Sequence, residues 1–567
     1  MNPLALVVDV LTNTFRVLRN LVATVLPGPE FVVLTARGTL PERRLARRGL
    51  LQRLIPQPLG PIAEESLEEW RERLRILAQD PRVRGIVLKV DDLRAGLASI
   101  EGLRTALERF RAAGKRIAAY LVSSALHGYY LASVADEVIV PASAELILNG
   151  PRVEMTFFRI ALDRLGVLPE FHHVGEYKSA SHRVLYPEMT APQREMQDAL
   201  VDSYYREIVA AIARSRGLSE AQVKEAIDQG ILAGEAAKAN GLVTTVAYED
   251  DLPRLLGGAG GPARILPWTQ ARKRVRLPLR WRVTERDEVA VVQLIGAITP
   301  GESRDLPVPI PLLGPHLVGH ETVIRALRTA ESNPAVKAVV FHVDSGGGSP
   351  VASDVIWREV VRVQERKPVV VYIGNVAASG GYYVVCGAKH IVAAAMSVTG
   401  SIGVVAGKFN ARPLFERLGL NREIIGRGAT AAMFSAFTDF TEQEWAVLRG
   451  WMQDVYTRFK SRVAAGRGQD VERVESVARG RVYTGRQALE AGLIDELGDL
   501  ETAVRKAKAL AGIPDGANVP VVTVRAPKAA AMPELPAAVW TEGLRQAVRL
   551  FQEPALLIAP VETGFAS

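Results

Sequence analysis

The feature that most constrains this chain is that it repeats itself. Asp80-Pro81 and the apolar run Gly85-Ile86-Val87-Leu88-Lys89-Val90 recur as Asn333-Pro334 and Ala338-Val339-Val340-Phe341-His342-Val343, 253 residues further on. At the same offset Gly128-Tyr129-Tyr130 falls on Gly381-Tyr382-Tyr383, and Arg164-Leu165-Gly166-Val167 on Arg417-Leu418-Gly419-Leu420. Near the end of each half, Gly234 with Gly241-Leu242-Val243 matches Gly485 with Gly492-Leu493-Ile494, now 251 residues apart. Register held over so long a stretch means two copies of one folding unit.

Each copy reads as short apolar runs alternating with amphipathic segments. In the first, the periodicity predicts a helix near 66–79, a strand at 85–90, a helix at 98–113 and a strand at 116–121. That alternation specifies βαβ crossovers and a mostly parallel sheet covered by helices, hence an α/β fold class. The predicted organisation is an amphipathic N-terminal segment (1–30), an α/β domain (31–254), a Gly-rich then basic linker (255–285), a second α/β domain (286–515) and a C-terminal tail (516–567). At 567 residues the chain exceeds one ordinary core, which agrees with two domains.

Composition narrows the function classes. Charged residues are 23% and hydrophobic residues 48%, the balance of a folded protein. The formal charge of +8 comes without zinc-finger spacing, an aromatic RNA-binding signature or a basic helix leading into heptads. The excess therefore points to no nucleic-acid partner; it suits an anionic lipid surface or simply a solvated basic surface. Cys386 is the only cysteine, so an intrachain disulfide and a thiolate metal cluster are both excluded.

Residues 1–27 place Leu4, Val8, Leu11, Phe15, Leu18, Val22 and Val25 on one helical stripe, interrupted by Asp9, Arg16 and Arg19 and ended by Pro27-Gly28-Pro29. A spanning helix needs roughly 20 predominantly apolar residues, and the charges leave no such window. The stripe reads as a helix lying in a membrane interface or packed on its own domain. In the linker, Gly257-Gly258 and Gly260-Gly261 precede Arg272, Lys273, Arg274, Arg276, Arg280 and Arg282 beside Trp268 and Trp281, a run that is either lipid-facing or solvated. The tail holds a short amphipathic stretch around Val539–Phe551 with no assigned chemistry.

Two Gly-rich turns follow strands of the second copy: Asp344-Ser345-Gly346-Gly347-Gly348-Ser349 and Ala377-Ala378-Ser379-Gly380-Gly381-Tyr382. Glycines after a strand let backbone N–H groups approach a ligand, and a helix starting there adds positive potential, which is what an oxyanion hole requires. Ser379 stands beside such donors, although a Ser-Gly-Gly turn also suits an ordinary helix cap. The first copy has Leu126 at the position of Ser379 and Arg94 at that of Gly347. It carries Lys178 in Gly175-Glu176-Tyr177-Lys178-Ser179-Ala180, where the second copy has Ala431. Each half retains what the other lacks. The histidines form no triad pattern, whereas a desolvated neutral lysine can take a serine's proton.

These residues resemble signal peptide peptidase A in its long, duplicated form. The resemblance rests on Gly-Glu-Tyr-Lys-Ser-Ala at 175–180, the turn at 344–349, Ala-Ala-Ser-Gly-Gly-Tyr-Tyr at 377–383 and Thr399-Gly400-Ser401-Ile402-Gly403. It implies two tandem ClpP/crotonase-like domains and a serine endopeptidase with a Ser-Lys dyad. Ser379 would be the nucleophile, Lys178 the general base, Ser401 the hydroxyl orienting the lysine, and the N–H groups of Gly347 and Gly380 the oxyanion hole. It further implies signal-peptide remnants and other extended apolar peptides as substrates, no metal or other cofactor, and a homotetramer docked at the outer face of the cytoplasmic membrane.

Two departures stand out: Gly346 where the family usually has proline, and an N-terminus without the clean spanning helix of long-form members. A non-catalytic membrane scaffold and a crotonase-type acyl-CoA enzyme are the competing readings. Retention of both dyad residues argues against each. Gly403-Val404-Val405-Ala406-Gly407-Lys408-Phe409 is too short for a phosphate-binding loop and reads as a strand and turn.

Overall fold

The structure is a computed structural model of the whole chain, described at residues 3–25, 27–44, 65–279, 287–310, 314–526 and 557–558. It divides into two compact units: residues 1–152 with 204–286 and 564–567, and residues 153–203 with 287–563.

The first unit is built on a six-stranded sheet, in the order Ile265–Pro267, Phe31–Gly38, Gly85–Leu93, Arg116–Tyr120, Glu137–Val140, Thr245–Val246, all neighbours parallel. The second repeats that order with Val521–Thr523, Glu288–Ile295, Val336–Ser345, Val369–Ala378, His390–Ala393 and Glu496–Leu497. The duplication read from sequence is thus a duplication of sheet topology. The predicted helices appear as Leu67–Gln79 and Leu97–Ala112, and the predicted strands as Gly85–Leu93 and Arg116–Tyr120.

Central strands are apolar almost throughout because both of their faces are covered. In Val336–Ser345, Val339, Phe341 and Val343 enter one buried layer with Ile356 and Val360. Ala338 and Val340 enter the opposite layer with Tyr372, Leu500, Ala503 and Ala507. Helix starts are fixed locally: Ser66 with Glu69, and Thr441 with Glu444, form reciprocal capping boxes, each worth about 1 kcal/mol against alanine.

The compact units do not follow the repeat boundary. Residues 153–203, placed by sequence in the N-terminal domain, belong to the second unit. The cause is the strand Leu168–Val174, which pairs antiparallel with Val404–Asn410 from Leu168 opposite Asn410 to Val174 opposite Val404. The Gly403–Phe409 region, read from the sequence as a strand and turn, forms a continuous strand from Val404 to Asn410.

The stretch assigned as a linker is folded over most of its described length. Ile265–Pro267 extends the first sheet beside Phe31–Gly38, and Trp268–Arg274 is a helix. Its basic residues Arg272, Lys273 and Arg274 lie in the last turn, where cations complement the helix dipole. Arg82 donates to the carbonyl of Arg274, and Asp80 accepts from the N–H of Arg276. Arg280, Trp281 and Arg282 lie outside the described residues, as does Val539–Phe551.

The N-terminal helix runs from Pro3 to Val25. Its polar side is tied down, with Arg16 donating to the carbonyl of Pro278 and Asn20 exchanging hydrogen bonds with Leu277. Leu11, Phe15 and Leu18 remain 65%, 67% and 59% exposed. No described helix is long and apolar enough to cross a membrane.

Candidate active site

Both Gly-rich turns are strand-to-helix turns, as their glycines required. Val336–Ser345 leads through Gly347–Gly348 to the helix Pro350–Val363, where Ser349 caps by accepting from the N–H of Ala352. Val369–Ala378 leads through Ser379 into the helix Gly380–Val385.

Ser379 is not an ordinary cap, because its side chain makes no capping hydrogen bond and its backbone sits at φ 56°, ψ −118°. A positive φ is costly for a residue with a Cβ. Among the described residues only Leu40, Asp92, Ser379, Ser401 and Arg479 share it outside glycine. Two of those five, Ser379 and Ser401, hydrogen-bond with the Lys178 side chain, and a third, Arg479, accepts from the N–H of Tyr177 next to it.

Lys178 Nζ lies 2.6 Å from Ser379 Oγ and 3.0 Å from both the Oγ and the carbonyl oxygen of Ser401. All three residues are fully buried. The structure therefore brings the three sequence-predicted side chains together, inside the second compact unit. Burial lowers the Lys178 pKa well below the usual lysine value, because a charged ammonium loses its hydration and finds no carboxylate here. The shift is toward the neutral amine, the form able to accept a proton.

Several backbone bonds fix this geometry. The N–H of Tyr177 donates to the carbonyl of Arg479, that of Ser379 to Gly400 and that of Ser401 to Arg481. A Cβ on Gly480, where φ is +81°, would fall 2.5 Å from both the N and Cβ of Lys178. This position admits no side chain while the lysine stays in place. Asp344 joins the ends of the two central strands, accepting from the N–H of Val376 and the side-chain amide of Asn375. Burial pushes its carboxyl up.

The two residues expected to supply the oxyanion hole lie close together. A Cβ on Gly380 would fall 3.2 Å from the Cα of Gly347 and 3.0 Å from the N of Gly348. In the resting site the N–H of Gly347 donates to Ser345 Oγ. Gly346, at the position usual for proline, has nothing within 4 Å of where its Cβ would be.

Sequence reasoning placed Asp344 and Ser345 in the turn without assigning them contacts, and missed the Arg479-Gly480-Arg481 segment that supports the lysine. The signal for the last was present: Arg479-Gly480-Arg481-Val482-Tyr483-Thr484-Gly485 runs directly into the Gly485 already matched between the repeats. The described residues hold no cluster of His, Cys, Asp and Glu suited to a metal.

The model of Peptidase family S49 matches residues 109–256 and again 361–514. The chloroplastic serine protease SPPA of Arabidopsis thaliana is 32% identical over 468 residues, covering 82% of this chain and 68% of the plant protein. Protease 4 of Haemophilus influenzae is 30% identical over 451 residues, covering 76% of this chain and 71% of its own length. A solved structure of the 1510-N membrane-bound stomatin-specific protease aligns with 43% of this chain and all of its own, at 18% identity and a TM-score of 0.27. With the family model matched twice and relatives aligned through both halves, the chain belongs to peptidase family S49, in the long duplicated form of signal peptide peptidase A, and is a serine protease.

Proposed function

We propose that this protease cleaves extended apolar peptides, signal-peptide remnants among them, at a membrane surface, with Ser379 as nucleophile and Lys178 as general base. One observation carries the reading: a fully buried lysine amine 2.6 Å from a fully buried serine hydroxyl at a strained strand-to-helix turn. A neutral Nζ accepts the proton of Ser379 as Oγ attacks the scissile carbonyl carbon. The carbonyl oxygen becomes an oxyanion facing the N–H groups of Gly347 and Gly380. The resulting ammonium then protonates the leaving amine as the C–N bond breaks, leaving an acyl ester on Ser379. Water, deprotonated by the same amine, attacks that ester and restores the serine. Ser401 receives two of the lysine's hydrogen bonds and so orients its lone pair.

Membrane attachment is supported by the exposed stripe of Leu11, Phe15 and Leu18 on a helix whose polar side is tied to the protein. Such a helix suits the interface, with its apolar face in the acyl boundary. The family resemblance supports a homotetramer facing outward from the cytoplasmic membrane. The name of one relative, "Putative signal peptide peptidase SppA" of Enterococcus faecium, supports the substrate class.

Labelling by a serine-reactive fluorophosphonate and a peptidase assay test the dyad. Ser379→Ala and Lys178→Ala are each expected to lower kcat about 10³-fold or more. Full activity in either variant overturns the assignment. Flotation with anionic liposomes tests the membrane reading, and light scattering the tetramer.

A further inference from the structure

The strand that ends at the nucleophile is broken just before it. Val369–Ala378 pairs with Val336–Ser345 in regular register up to Val343 opposite Ile373, and the ladder resumes only with Ser345 opposite Ala377. Gly374, Asn375 and Val376 thus stand against the single residue Asp344. On its other side the strand changes partner at the same place. It runs beside His390–Ala393 as far as Ile373 and beside Val398–Gly400 from Val376 onward. A bulge of this kind bends and re-aims the strand that carries it, and here it sets the direction of Ala377, Ala378 and the Ser379 turn.

A broken ladder leaves backbone groups that other partners must satisfy. Two side chains supply them, one from each side of the strand. Asp344 accepts from the N–H of Val376 at 3.1 Å, and its second oxygen accepts from the side-chain amide of Asn375 at 3.2 Å. Ser397, fully buried just before Val398–Gly400, donates its hydroxyl to the carbonyl of Gly374 at 2.6 Å and accepts from the N–H of Ala394. A Cβ on Gly374 would fall 3.0 Å from Asp344 Oδ2 and 2.9 Å from His342 Nε2, so only glycine lets the bulge close onto the carboxylate.

We propose that Asp344 and Ser397 are positioning residues for the nucleophile, a clamp that holds the bulge from its two sides and so fixes where Ser379 Oγ stands relative to Lys178 Nζ. This rests on the assignment of Ser379 and Lys178 above. Each clamp residue acts through residues 374–376 rather than on the reacting atoms. Asp344 makes a second connection, because it also opens the turn that leads to Gly347. Its carboxylate therefore ties the strand end that presents the nucleophile to the strand end that presents Gly347. A displacement of about 1 Å in a reacting group can cost about 10²-fold in rate, and an Nζ–Oγ contact of 2.6 Å leaves little slack.

The test keeps the full chain. Asp344→Ala and Ser397→Ala are each expected to lower kcat roughly 10- to 100-fold with KM little changed, and to slow fluorophosphonate labelling of Ser379 by the same factor. Asp344→Asn keeps an oxygen for the N–H of Val376 and should recover most of the loss. Combining the two alanine changes should cost less than the product of the single effects, since both act on one bulge. An undiminished kcat in either alanine variant, or equal losses in Asp344→Ala and Asp344→Asn, overturns the proposal. Hydrogen–deuterium exchange gives a readout independent of activity: residues 374–379 should exchange faster in Ser397→Ala than in wild type, and faster in Asp344→Ala than in Asp344→Asn, while 369–373 stay protected. If wild type neither cleaves peptides nor labels at Ser379, the dyad assignment fails by itself and exchange alone decides the clamp. If Asp344→Ala does not fold, Ser397→Ala, which removes a single oxygen, carries the same comparison. Unchanged exchange at 374–379 in the folded variants refutes the clamp.

Discussion

Replacing Lys178 by methionine should abolish catalysis and at the same time remove a pH dependence of stability. Burial lowers the native pKa of Lys178 well below 10.5. The unfolded chain keeps this lysine protonated up to about 10.5. Between those two values the unfolded state therefore binds one more proton than the native state, and stability rises with pH by about 1.36 kcal/mol per unit. That contribution is lost as pH falls, and flattens only where the native lysine takes up its own proton. Methionine has no proton to bind.

The replacement also removes the contacts with Ser379 and with both oxygens of Ser401, about 1 kcal/mol each, but that loss does not vary with pH. The slope is thus the diagnostic quantity. Urea titrations of wild type and Lys178→Met from pH 7 to 10, followed by tryptophan fluorescence, should give a stability difference that shifts toward wild type by about 1.4 kcal/mol per pH unit within the window. Other ionisable groups cancel in the difference. A difference independent of pH across that range would show that Lys178 binds its proton equally in both states, and the argument for a neutral base would collapse.

Other expectations are shorter. Ser401→Ala should lower kcat more than it raises KM and move the acid limb of the pH–rate profile, whereas a purely structural role would leave that limb in place. Gly480→Ala, with a Cβ forced to 2.5 Å from Lys178 at φ +81°, should cost about 1–3 kcal/mol in strain and slow fluorophosphonate labelling of Ser379; wild-type labelling would contradict the supporting role of this turn. The buried imidazole of His182 has its pKa lowered to about 4, chiefly by desolvation, so it is neutral in the native state and charged in the unfolded chain below 6.5. Stability should therefore fall as pH drops from 6.5 to about 4, less steeply in His182→Gln, and equal slopes in the two proteins would exclude that cause. Serine at Leu11, Phe15 and Leu18 together should weaken liposome binding without altering hydrolysis of a soluble peptide; undiminished flotation would remove this helix from the membrane contact.

Much of the architecture was legible in the chain itself. A repeat of apolar runs fixes where strands and helices fall, because periodicity and burial are local consequences of residue type. The same comparison isolated Ser379 and Lys178 as complementary survivors of two copies, since Leu126 and Ala431 stand at their counterparts. Tertiary structure decided the rest. Lys178 lies in the first repeat by sequence but in the second compact unit by packing, because Leu168–Val174 pairs with Val404–Asn410, and a pairing between residues so far apart leaves no local trace. The basic stretch after Gly261 reads as a linker by composition; it folds because a sheet edge beside Phe31–Gly38 was available to Ile265–Pro267. The lowered pKa of the lysine and the break in the sheet before Ser379 are likewise properties of the assembled unit. Sequence supplies the groups, and only the fold removes the water around them and decides which backbone lies next to which.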